Sequence, residues 1–236
     1  MFGISSFCLH QQPLETALET LSLHTDTVEV MDEGLHHLTS PDLLEQFSCR
    51  YFIHAPSRGV NVASLLEPIR RASVQVIGEC IAIAGEVDAG VVIHPGYYAW
   101  VEEREAALAA FGRSLAELRS TAYDHGVSFC VENMGNWEYF FLRSPDDVEM
   151  IGDSGLALDV GHANLNGCLP EFLEVPFSHA HLHDNNGLSD SHVAVGEGDI
   201  SFAPVMEAVR RNGAVPIIEV GTLEGCLRSI RALEAI

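Results

Sequence analysis

The chain has no lysine: its twelve basic residues are all arginine, set against 34 acidic ones, for a formal net charge of −22. Without lysine there is no Schiff-base nucleophile and no lysine to close a phosphate-binding loop. A charge of this sign and size repels polyanions, which disfavours bulk binding to nucleic acid or to an anionic membrane. No apolar run reaches the roughly 18 residues that a membrane span needs. The first basic residue is Arg50, so the N-terminal stretch lacks the charged region of a secretory leader, and the cytoplasm is the expected location. The six cysteines (Cys8, Cys49, Cys80, Cys130, Cys168, Cys226) form no C-x-x-C pair, in a chain long enough to fold without staples. Reduced, mostly buried thiols are expected.

What is present is an alternation. Eight short apolar runs, at 2–7, 27–31, 51–54, 91–94, 128–132, 156–159, 179–183 and 216–219, are separated by longer stretches. The clearest helical periodicity lies at 64–86, 102–125, 202–212 and 223–233. Strands alternating with helices imply right-handed crossovers and a parallel sheet, and eight repeats suggest closure into a (β/α)8 TIM barrel. At 236 residues, each unit averages about 30, near the lower end for such a barrel, so the spans after the second and sixth strands must hold short helices. An open doubly wound sheet is the alternative, but no G-x-G-x-x-G follows the first strand. No linker or low-complexity tract divides the chain, so one domain over residues 1–236 is expected.

In a parallel barrel the C-terminal strand ends form the active-site mouth. Here the apolar runs end in His54, His94, Glu132, Asp159, His181 or His183, and Glu219. One such ending is ordinary scaffolding, but six metal-ligand residue types on one rim are not explained by packing. Leu158-Asp159-Val160-Gly161-His162 sets a carboxylate and an imidazole three residues apart across a glycine turn. His179, His181 and His183 alternate at period two and share one strand face, so some of them must support ligands rather than bind. Asp190-Ser191-His192 precedes the turn-rich Gly196-Glu197-Gly198-Asp199, either a plain solvated loop or a further Asp/His pair folded over the mouth. Tyr97, Tyr98, Trp100, Trp137 and Tyr139 lie after the fourth and fifth strands, as rim packing or as a stacking surface for a ring. Carboxylate and imidazole without thiolate suit zinc, manganese, cobalt or magnesium rather than copper or iron–sulfur clusters.

Taken in order, Tyr51-Phe52-Ile53-His54-Ala55-Pro56, Val92-Ile93-His94-Pro95-Gly96, Val131-Glu132-Asn133-Met134, Leu158-Asp159-Val160-Gly161-His162, His181-Leu182-His183-Asp184-Asn185, Asp190-Ser191-His192 and Ile217-Ile218-Glu219 resemble the xylose isomerase-like TIM-barrel superfamily. That superfamily holds sugar and sugar-phosphate isomerases and epimerases and the family 2 apurinic/apyrimidinic endonucleases. Its endonuclease branch implies three zinc ions on nine residues, which carry over to His54, His94, Glu132, Asp159, His162, His181, Asp190, His192 and Glu219; Asn61 also matches that branch. The isomerase branch implies a single divalent ion on Glu132, Asp159, His181 and Glu219. There Glu132 and Glu219 are the catalytic pair that exchanges a proton through a metal-bound enediolate, and His183 and His94 are substrate contacts. His181 rather than His183 is the ligand on the family pattern. The missing lysine departs from xylose isomerase proper, where a lysine polarises the substrate.

Nucleic-acid binding should leave a basic footprint near the mouth. Beyond the second strand the chain instead reads Glu29-Val30-Met31-Asp32-Glu33, and Ser57 stands where a DNA-wedging aromatic is expected. Arg58 is one of two arginines near strand-end loops, with Arg143, and is taken with Asn61, His183 and Trp137 as substrate-binding. The expected function is therefore a metal-dependent isomerase or epimerase of a small sugar or sugar phosphate, using one to three divalent ions. A zinc-dependent phosphodiester hydrolase and a non-catalytic metal-binding barrel are the alternatives. No membrane partner is expected, and homo-oligomer formation is left open.

Overall fold

Eight strands, β1 (Gly3–Ser5), β2 (Thr27–Met31), β3 (Arg50–His54), β4 (Gly90–Ile93), β5 (Phe129–Glu132), β6 (Gly155–Asp159), β7 (His179–Leu182) and β8 (Val215–Ile218), pair parallel in chain order, and β8 closes back onto β1. The computed structural model describes residues 2–236. The closed barrel expected from the alternation is the observed fold. The helices are α1 (Leu14–Leu21), α2 (Glu67–Glu86), α3 (Arg104–His125), α4 (Val160–Leu165), α5 (Leu169–Phe172), α6 (Phe202–Asn212) and α7 (Leu223–Glu234). The long helices stop where the sequence chemistry says they should. Gly126 (φ +68°) and Gly213 (φ +62°) supply left-handed caps to α3 and α6, and the Thr222 hydroxyl accepts from Gly225 N–H to start α7.

After β2 there is no α-helix, only 3-10 turns at Gly34–His36 and Leu44–Gln46, and α4 and α5 after β6 are short, as the length required. The span after β5 also lacks an α-helix, which the alternation did not reveal. Residues 137–142 run across to bridge Tyr97 with Phe140, and only a 3-10 turn, Pro145–Ile151, remains to return the chain.

Period-two alternation divides each strand between two cores. Val28, Val30, Ile53, Ala180 and Leu182 are buried among the apolar side chains of the surrounding layer, where α2 and α3 contribute Ile77, Ile81, Phe111 and Leu118. Each Val, Leu, Ile or Phe among them stabilises the fold by roughly 1.5–3 kcal/mol when fully buried. The opposite parity, Glu29, Phe52, His54, His179 and His181, meets inside the barrel. Gly90 allows this, because a Cβ there would strike the Phe52 ring, which leans on His179 at 4.8 Å.

All six cysteines are free thiols, with Cys8, Cys80 and Cys226 buried and the others half-buried. Among the described residues no helix is long and apolar enough to cross a membrane.

Candidate metal centre and active site

The centre is built from strand ends. Asp159 closes β6 and also caps α4: its Oδ1 accepts from His162 N–H at 2.6 Å, which folds the imidazole back beside the carboxylate. Asn133, one residue beyond β5, pins that carboxylate's backbone, accepting from Asp159 N–H at 2.7 Å and donating to Asp159 O at 3.0 Å. His183 Nε2 lies 3.1 and 3.2 Å from the two Asp159 oxygens, and its ring stacks on His192 at 3.8 Å. The stack needs Gly161, since a Cβ there would overlap the His183 ring.

Around this core the carboxylates and imidazoles interlock. Glu132 Oε2 stands 3.1 Å from both His54 Nε2 and His94 Nε2, while its Oε1 is 3.4 Å from His162 Nδ1 and from His181 Nδ1. Glu219 Oε2 is 3.5 Å from His181 Nδ1 and 3.9 Å from His192 Nδ1. Asp190 Oδ2 is 3.2 Å from His162 Nε2 and 3.3 Å from His192 Nε2. All nine residues drawn from the sequence motifs thus converge. The loop carrying Asp190 and His192 is held by Asp184, a buried carboxylate that accepts backbone N–H bonds from Asn185, Gly196 and Ile200 at 2.9, 2.9 and 3.1 Å.

Above them lies a cavity of about 190 Å³, lined by His54, His94, Glu132, His162, Asp190, His192 and Glu219, with Asp159 and His181 wholly buried beneath. Phe7, Met31, Glu33, Ser57 and Arg58 complete its wall. Phe7 and Met31 carry no metal-binding chemistry that the sequence could flag, yet they reach the mouth because every strand of a barrel feeds it. A larger open hollow of about 870 Å³ at the N-terminal strand ends, lined by Phe2, Arg50 and Arg210 among others, brings no such donors together.

The buried charges reinforce one another. Burial pushes the His54 imidazole down, but the Glu132 carboxylate outweighs it and lifts it to about 9. His192 is likewise lifted to about 9, against burial, by Asp190 and Glu219. Burial pushes Glu132, Asp159 and Asp190 up, and the surrounding imidazoles hold all three below the ordinary carboxylate range. His181 Nδ1 and His183 Nδ1 are buried without a hydrogen-bond partner, and the former faces three carboxylates. This donor set fits a divalent cation: lone pairs and negative oxygens converge, and no arginine enters the cluster to neutralise them.

Three residues expected at the substrate lie elsewhere. His183 is wholly buried, with its Nε2 on the Asp159 carboxylate, and is absent from the cavity lining. Asn61 braces the β3 and β4 loops, donating to Tyr97 O at 3.0 Å and accepting from Ala63 and Tyr97 N–H at 3.0 and 3.2 Å. Trp137 packs among Tyr97, Tyr139 and Phe140 on the outer rim, outside the cavity lining. The acidic stretch beyond β2 is not a repulsive surface. Glu29 is wholly inside the barrel, Asp32 is 2% exposed and accepts from Leu38 N–H, and Glu33 is occupied by Ser57 and Arg58.

Residues 41–233 match the family described as xylose isomerase-like TIM barrel, a stretch that contains all nine convergent residues. The chain belongs to the xylose isomerase-like TIM barrel family. A relative, uncharacterized protein MJ1614 of Methanocaldococcus jannaschii, is 30% identical over 233 residues, 93% of each chain. A crystal structure described as a D-tagatose 3-epimerase-like protein is 30% identical with a TM-score of 0.91, over 99% of this chain and 96% of that one. The IOLI protein with a bound zinc atom shares the barrel fold at 18% identity and a TM-score of 0.79, over 99% and 95% of the two chains.

Proposed function

We propose that this chain is a divalent-metal-dependent isomerase or epimerase of a small sugar or sugar phosphate. The observation that carries the reading is the placement of Glu132 and Glu219. Carboxylates from the ends of β5 and β8 reach His181 Nδ1 at 3.4 and 3.5 Å, at the floor of a cavity of about 190 Å³. That volume lies below the roughly 300–1,000 Å³ usual for drug-sized ligands and suits a small polar molecule. Two carboxylates on one small ligand allow one to take a proton from carbon while the other returns it. A divalent ion held by Glu132, Asp159, His181 and Glu219 supplies Lewis acidity toward a carbonyl and its neighbouring hydroxyl. His94 and His162 line the same wall as donors to further hydroxyls, and Arg58, paired with Glu33, is the cavity's arginine for a phosphate group. The 30%-identical structure described as D-tagatose 3-epimerase-like supports a sugar substrate, and the zinc atom of the IOLI structure supports a divalent ion.

The test is to load the purified chain with zinc, manganese, cobalt or magnesium in turn and incubate it with ketopentoses, ketohexoses and their phosphates in D2O. Deuterium entering a carbon beside the carbonyl, and lost in Glu219→Gln with the fold intact, is the expected result. No exchange into any of these sugars with any of the four metals would sink the reading.

One observation favours a second reading. His162, Asp190 and His192 gather within 3.3 Å contacts over the mouth, donors enough for more than one ion, as in clustered-metal phosphodiester hydrolases. Three zinc ions per chain, with nicking of an abasic-site duplex at low salt that a chelator abolishes, would establish it instead.

A further inference from the structure

Glu29 lies mid-strand in β2 with no exposed surface, inside a barrel whose interior is ordinarily filled by branched aliphatic side chains. Its partners come from β7, across the lumen. Oε2 is 2.6 Å from His179 Nε2, and Oε1 is 2.8 Å from His181 Nε2. Neither contact closes as a hydrogen bond, since all four atoms are buried without a hydrogen-bond partner, so Glu29 faces Nε2 as a charge rather than as a bonded acceptor. His181 Nδ1 looks the opposite way, 3.4 Å from Glu132, 3.5 Å from Glu219 and 3.9 Å from Asp159. A single imidazole therefore separates Glu29 from the three carboxylates of the candidate centre.

The fold has no need of this charge. Burying a carboxylate is costly, and an apolar side chain of similar volume fills a barrel interior as well or better. Glu29, His179 and His181 also lie close enough together for an ion of their own, which a change in the number of bound ions would reveal. Glu29 and His179 are wholly buried and absent from the cavity lining, so neither touches a substrate. Glu29 also lies outside the stretch, 41–233, that matches the family.

We propose that Glu29, backed by His179, is a positioning residue that keeps the His181 proton on Nε2 and turns the Nδ1 lone pair toward the ion. This rests on the reading that His181 is a ligand of that ion. A neutral imidazole carries one proton, and a carboxylate facing one nitrogen draws the proton there and leaves the other nitrogen free to coordinate. His179 Nε2, 2.6 Å from the other carboxylate oxygen, limits how far the Glu29 head can turn. The relay runs from His179, packed on the Phe52 ring, through Glu29 to His181, and none of these residues lines the cavity.

The experiment compares zinc affinity, by competition with a chromogenic chelator, in the wild-type chain, Glu29→Gln, Glu29→Asp and His181→Ala, with circular dichroism to confirm the fold. Glu29→Gln is expected to weaken binding about 10–100-fold without changing the number of ions, as loss of an outer partner does. Glu29→Asp should recover part of the loss, and His181→Ala should lose more than Glu29→Gln. Weakening by His181→Ala with no change in Glu29→Gln overturns the positioning role and leaves the ion centre standing. No change in His181→Ala overturns the ligand reading and the relay together. Loss of one whole ion in Glu29→Gln makes Glu29 a ligand and also overturns the proposal. Should the Glu29 variants not fold, 15N spectra of the zinc-loaded wild type decide: a His181 proton on Nε2 supports the relay, and coordination through Nε2 rejects it.

Discussion

Glu132 and His54 meet Oε2 to Nε2 at 3.1 Å, although they end strands two places apart in the barrel. The intervening β4 leads into His94, which reaches the same oxygen at the same distance. One carboxylate oxygen thus serves two imidazoles on one side, while the other faces His162 and His181 on the opposite side. Glu132 is the residue through which the converging side chains are connected.

Glu132→Gln should therefore cost more in zinc affinity than the roughly 10–100-fold expected for an outer partner, and should abolish any sugar turnover. The substitution keeps the shape and removes one charge, so circular dichroism should remain that of the native barrel. Chelator competition and metal content per chain measure the first effect, and deuterium exchange the second. Wild-type affinity in this variant would remove Glu132 from the centre.

Gly161→Ala tests the turn between Asp159 and His162. In most helices this change is favourable by up to about 1 kcal/mol. Here the added Cβ overlaps the His183 ring, which is fixed by Asp159 on one side and His192 on the other. Overpacking of this kind costs about 1–3 kcal/mol, so the net effect should be destabilising, with weaker metal binding. Gly112→Ala in α3 is the control, because nothing lies within 4 Å of its added Cβ. It should stabilise by about 0.5–1 kcal/mol. Urea denaturation of the three proteins gives both values, and a stabilised Gly161→Ala variant would contradict the packing argument.

The barrel and the cluster of carboxylates and imidazoles at its mouth were legible because both are written locally. Each strand is a short apolar run, and the mouth residue stands at or just past its end, so counting runs finds the fold and reading their last letters finds His54, Glu132, Asp159 and Glu219. Asp190 and His192 came from motif order, since their loop has no apolar run to mark it. What stayed hidden depends on direction and distance. Glu29 sits between Val28 and Val30 and read as an acidic rim residue, because only the closed barrel shows that its parity faces His179 and His181. Asp184 was part of a motif without a role until the loop it ties became visible. Asn61 resembles the endonuclease branch by its letter, yet its amide is consumed by loop bonds, which a letter cannot reveal.

Four imidazoles of the centre are raised above their ordinary value, and two of them, His54 and His192, are lifted to about 9. Their folded values lie above the ordinary 6.5, so the folded state holds these protons more tightly than the unfolded chain. The stability they contribute is complete below about 6.5 and is lost as pH rises through 9. A divalent ion on the same carboxylates competes with these protons and with those of His162 and His181, also raised above 6.5, so affinity should climb on the order of tenfold per pH unit for each proton displaced. Stability of the chelated protein and zinc affinity should consequently move in opposite directions between pH 6.5 and 9. Thermal melts of the chelated protein across that range measure the first. Titration calorimetry in two buffers of different ionisation enthalpy measures the second by counting protons released. If chelated stability stayed flat, or if zinc binding released no protons at pH 7.5, His54 and His192 would not be protonated partners of the carboxylates, and the charge arrangement described for the centre would be wrong.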